Sequence, residues 1–153
     1  SATRVRALSD GVASGSLNAQ LLGDEFVRTV RGCARVERAV GPYTAGTDTL
    51  IVEVSPDPQW PAVTRHVVFT RDADTHRLCR VEYLDTGKGP EFVRGVACSP
   101  PLTAVSFEPV GDAASPRAIA MTYVVEREGR VQRAETPHTV VAAMRVAASR
   151  NGE

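Results

Sequence analysis

Leu21–Val40 reads LLGDEFVRTVRGCARVERAV, and the period of its apolar residues decides the fold. Leu22, Phe26, Val30 and Cys33 follow one another at steps of four, four and three, the spacing of one face of an α-helix. Extended backwards, the series takes in Leu8, Val12 and Ala19, and at helical pitch all seven fall within an arc of roughly 80°. Arg28, Arg31, Arg35 and Arg38 lie on the other side, as a solvated face, and no proline occurs before Pro42. The spacing predicts one long helix over residues 1–40. Gly11, Gly15, Gly23 and Gly32 fall inside it, each at about 1 kcal/mol relative to Ala, so packing and not propensity must hold it. Leu17 and Leu21 leave the arc and sit near the arginines. Single surface leucines need no explanation. A half-helix apolar on more than one face also suits a partner, with Leu8, Val12, Leu17 and Leu21 as the candidate packing residues.

After Gly41, Pro42 and Gly46 the period changes to that of strands. Thr49–Val54 is a β-branched run, and Ser55–Pro61 is a proline-rich loop carrying Trp60. His66–Thr70 and Leu78–Leu84 read as strands on either side of the turn Asp72–Thr75. Phe92–Cys98 reads as a short connecting piece stopped by Pro100 and Pro101. Leu102–Val110 and Ala118–Glu126 are strands, Glu128-Gly129 a hairpin turn with Arg130–Glu135 as its return, and Thr139–Ala147 the last strand. The expected layout is α+β in a single domain over 1–153. One long N-terminal helix packs on an antiparallel β-sheet region spanning 47–147.

The 153 residues suffice for one core without metals or disulfides. Eighteen basic residues, all arginine but Lys88, balance eighteen acidic ones. Nothing in that balance draws the chain to nucleic acid or an anionic surface, and the eight aromatics are not interleaved with arginine. No apolar run reaches the roughly 18 residues of a membrane helix. Catalytic signatures are missing: there is no GxSxG, Walker loop, HExxH or CxxC. His66, His76 and His138 are too far apart in sequence to define a metal site. Asp72 and Asp74 lack the glycine and closing glutamate of a calcium loop and read as turn caps. Neither a metal nor a cofactor is expected.

The three cysteines leave two readings open. In one, all three are reduced core residues, since free cysteine behaves as a small apolar side chain. In an oxidising compartment Cys79 and Cys98 are the candidate disulfide pair, both lying in the strand-rich part while Cys33 lies on the helix stripe.

Four stretches resemble, in order, the soluble part of minor pilins and minor pseudopilins. Leu21–Val40 is similar to the end of that family's first helix. Asp48–Val52 is similar to its first strand, and RHVVFTRDADTHRLCR (65–80) to its paired strands. VVAAMRVAASRN (140–151) resembles its last strand. The order of helix and strands, and the ending, are nearest the J-type pseudopilin and its type IV counterpart. The family's peptidase site and apolar membrane segment are not in the sequence, which is read as a soluble fragment of a longer chain. The resemblance implies a pilin-like fold and a non-enzymatic structural subunit of a type IV pilus or a type II secretion pseudopilus. Such a subunit joins other minor subunits through its N-terminal helix, in a tip complex that primes the filament. It would touch the membrane only through the missing segment, anchored in the inner membrane with this domain in the periplasm. Two other classes are weighed against it. One is a periplasmic or secreted small-ligand carrier, which needs an apolar cavity. The other is an enzyme using His66 or His138 with a carboxylate.

Overall fold

The computed structural model describes residues 19–126 and 136–144. Over these residues the chain is mostly antiparallel β-sheet, with one short helix, α1 (Ala19–Arg31). The expected α+β arrangement, a helix of some forty residues laid on a sheet, is overturned. The helix stops at Arg31, where the Gly32 N–H donates to the Arg28 carbonyl at 3.3 Å as the last helical bond. Cys33–Val36 is a strand, β1, paired with Thr49–Val54, β4. Gly32 is a weak point in any helix, and past it the backbone gains a ladder partner in β4 that the helix cannot offer. Cys33 is buried all the same, so the helical stripe runs one residue beyond the helix that carries it. Residues 1–18 of the expected helix lie outside the described residues.

The remaining elements are β2 (Ala39–Val40), β3 (Tyr43–Thr44), β5 (Thr64–Arg71), β6 (Arg77–Asp85), β7 (Pro90–Val110), β8 (Ala118–Val125) and β9 (His138–Ala143). Seven strands join in the order β1-β4-β5-β6-β7-β8-β9, each antiparallel to its neighbour. The turn Glu128-Gly129 and the return strand Arg130–Glu135 lie outside the described residues. The last strand keeps its place and ends at Ala143.

β7 is the largest departure among the strands. The expected connecting piece and the strand after it form one element of 21 residues running through both prolines. As far as Pro101 it pairs with β6, and from Leu102 with β8. Proline has no N–H to give a ladder, and here the missing donors fall where the strand changes partners. The Leu102 N–H is satisfied by the His76 carbonyl at 2.7 Å, and the Pro101 carbonyl by the Glu126 N–H at 2.9 Å. Arg71 Nε donates to the Leu102 carbonyl at 2.8 Å.

Two cores result. The larger brings Leu22, Phe26 and Val30 of α1 against Leu50, Val67 and Phe69 on one half of the sheet and Phe107, Ile119 and Met121 on the other. The rings of Phe26, Phe69 and Phe107 lie 6.0 to 6.4 Å apart, within the range of favourable aromatic pairs. The smaller core, on the opposite face of β4–β6, holds Ile51, Val68, Cys79, Val81 and Tyr83 under the β2–β3 hairpin. Burial on both faces is why β4, β5 and β6 carry apolar runs in place of strict alternation.

Candidate functional site

Register assembles a polar cluster on the face of the sheet that carries the smaller core. Arg35 of β1 lies opposite Glu53 of β4, and Glu53 opposite His66 of β5. Glu37 follows β1 directly, and its N–H donates to the Ile51 carbonyl at 2.8 Å, which holds it beside β4. One carboxylate oxygen from each glutamate and a ring nitrogen of His66 lie within 4.8 Å of one another, all three residues half-buried. Arg35 Nε stands 3.5 Å from Glu53 and 3.8 Å from Glu37. Burial, then the hydrogen bond and charge of Glu53, push the Glu37 carboxyl above its ordinary value, against the pull of His66 and Arg35. Two carboxyls this close favour sharing a proton. His66 Nδ1 is buried and has no hydrogen-bond partner, a state that buried polar atoms seldom keep. Two carboxylates and an imidazole are a donor set able to hold a divalent cation.

A second feature lies on the other face, beside α1. Arg80 Nε contacts Glu25 at 2.8 Å and Thr29 Oγ1 at 3.3 Å, and its Nη1 donates to Glu82 at 3.2 Å. Glu82, buried, also accepts from Arg65 at 3.1 Å and from Arg94 at 2.9 Å. Arg28 pairs with Glu25. Burial alone would raise the Glu82 carboxyl, but Arg80, Arg65 and Arg94 outweigh it and hold it below its ordinary value. Above this network runs an open groove of about 340 Å³, lined by Leu21, Arg28, Arg94, Val96 and Cys98 among others. Leu21 is 48 % exposed and Val96 38 %, so the groove is apolar along its wall and basic at its rim.

Of the candidate packing residues, Leu21 forms part of that wall, while Leu8, Val12 and Leu17 lie outside the described residues. The candidate disulfide is not formed: Cys33, Cys79 and Cys98 are all free thiols. Cys79 is in register with Ala97. It therefore packs in the smaller core while Cys98 packs against the larger, on opposite faces of the sheet. Burial pushes the Cys33 thiol up to about 11 and raises that of Cys98 as well.

The histidines do not converge. His76 Nδ1 meets Glu126 at 2.8 Å and the His138 ring stacks on Tyr123 at 5.3 Å, so His66 alone enters a donor cluster among the described residues. Asp72 accepts from the Thr75 N–H at 2.8 Å, as a turn cap does. An apolar hollow between Leu50, Phe107 and Ile119 measures about 120 Å³, below the roughly 300 Å³ at which small-molecule sites begin. No helix of the described residues is long and apolar enough to cross a membrane.

The glutamate–histidine cluster is not legible in the sequence, because its members are 13 to 29 residues apart and helical spacing extends through Glu37. The usable signal is an ionisable residue beside the apolar run of each of two strands, Glu53 after Leu50–Val52 and His66 before Val67–Phe69. Comparison of the chain with family models, with curated proteins and with solved structures finds no match.

Proposed function

We propose that the protein is a non-catalytic structural and assembly subunit of a type IV pilus or type II secretion pseudopilus. In this reading it acts in a minor-subunit tip complex that primes the filament. The whole protein is anchored in the inner membrane, with this domain in the periplasm and later in the filament. The observation that carries the reading is the groove beside α1, where exposed Leu21 and Val96 lie next to Arg28 and Arg94. Such a surface suits an amphipathic helix with acidic flanks, the chemistry expected of a neighbouring subunit's helix. Two of the stretches that carry the family resemblance fall on β4 and on the β5–β6 hairpin. The Leu21–Val40 stretch supports it only as far as Arg31, where the helix ends.

The test is co-expression with minor subunits of the same filament system, followed by pull-down. Leu21→Glu is expected to leave the domain folded and to weaken capture of its partners at least tenfold. Normal capture by a folded Leu21→Glu protein would place the interface elsewhere and remove the support for this reading.

A further inference from the structure

We propose that Glu37, Glu53 and His66 bind a divalent transition-metal cation, Zn²⁺ foremost, which clamps the edge strand β1 to β4 and β5. Three features of the site support this. The donors come from three separate stretches that the register brings within 4.8 Å of one another. Zn²⁺ binds imidazole nitrogen and carboxylate oxygen at about 2.0 to 2.2 Å, so adjustment of two glutamate rotamers closes the donors around an ion. His66 Nδ1 is a buried polar atom with no partner, in a ring that already faces two carboxylates.

Arg35 lies against both carboxyls, at 3.5 and 3.8 Å, as the cation of the ion-free site. Its side chain is 66 % exposed, so it can swing into water when an ion takes its place. A nitrogen donor selects against Ca²⁺ and Mg²⁺, which take oxygen ligands, and within the divalent transition series Zn²⁺ binds such mixed sites tightly. His76 with Glu126 is the other histidine–carboxylate contact among the described residues. It offers a single carboxylate and is more exposed, so it serves as the internal control.

The site has a structural consequence. β1 is an edge strand of the sheet, four residues long, with an irregularity between Cys33 and Arg35. A cation shared by Glu37 at its end and by the next two strands would fasten this edge of the sheet.

Metal-stripped, untagged protein titrated with Zn²⁺ in a calorimeter is expected to take up one ion per chain, with a rise of several degrees in melting temperature. Ca²⁺ at the same concentration is expected to produce neither effect. Glu37→Gln and Glu53→Gln, which keep side-chain size, should each weaken Zn²⁺ binding at least tenfold, while His76→Ala leaves it unchanged. Circular dichroism checks that each variant is folded. X-ray absorption of the zinc-loaded protein should show nitrogen and oxygen ligands. No uptake of Zn²⁺, unchanged affinity in both glutamine variants, loss of binding in His76→Ala, or a sulfur-ligated ion would each overturn the proposal.

Discussion

At Glu82, one buried carboxylate faces Arg65, Arg80 and Arg94, and its ionisation is tied to folding. Its carboxyl lies below the ordinary value of 4.5 in the folded chain. Its contribution to stability is therefore complete above that value and is lost as the pH falls through the lower, folded one. Melting temperatures between pH 7 and pH 3 should show a loss confined to the acid end of that range. Glu82→Gln should flatten that dependence and cost about 2 kcal/mol at neutral pH, because charged hydrogen bonds are broken. Gly41 is a second such residue. It has φ +56 in the turn of the β2–β3 hairpin, and a Cβ there would stand 2.9 Å from the Tyr83 ring. That ring is buried between Tyr43 and Phe92 and has little room to yield. Gly41→Ala should destabilise the domain by about 1 to 3 kcal/mol in urea titrations, from strain and contact together. The sequence announced the glycine as a turn residue; the ring that forbids a side chain there is 42 residues away and was not visible. The thiols add a chemical test. With Cys33 raised to about 11 and Cys79 buried, a thiol reagent should react slowly with the native protein and should count three thiols in denaturant without reductant. Fewer than three would mean that a disulfide forms in solution.

The elements divide into those read correctly from local pattern and those redirected by pairing. In α1, Leu22, Phe26 and Val30 are fully buried while Leu21 is half-exposed, the division the helical period predicts. Phe26→Ala should cost about 3 to 5 kcal/mol of stability, whereas Leu21→Glu should change it by no more than about 0.5 kcal/mol. Melting curves of the two variants separate a core face from an outer face. β4 is legible to the residue because four β-branched residues among its six lie between turn signals. β1 is not, because Cys33 continues the helical spacing and four residues cannot declare a strand period by themselves. Read locally, β7 divides in two, because a Pro-Pro pair ordinarily ends a strand. Only the change of partner from β6 to β8 makes both prolines acceptable there.

Across the whole molecule, Phe26, Phe69 and Phe107 join the helix to both halves of the seven-stranded sheet. One core shared in this way should unfold as a unit, with backbone and aromatic circular dichroism following a single thermal transition. Phe107→Ala, on the far half, should lower both signals together; separate transitions would mean that the halves are independent. From the sequence alone came the class of most segments, the apolar stripe of α1, the pattern of β4, β5 and β6, and the lack of any local catalytic signature. These rest on periodicity within a few residues, which the chain carries wherever it folds. The tertiary structure alone decided where the helix stops, that β7 is continuous, that Cys79 and Cys98 face opposite ways, and that Glu37, Glu53 and His66 meet. Each depends on which strand lies beside which and in what register, and a shift of one residue reverses every side chain. Around the cluster the pairing partners are 11 to 21 residues apart in sequence, so no local stretch contains the register.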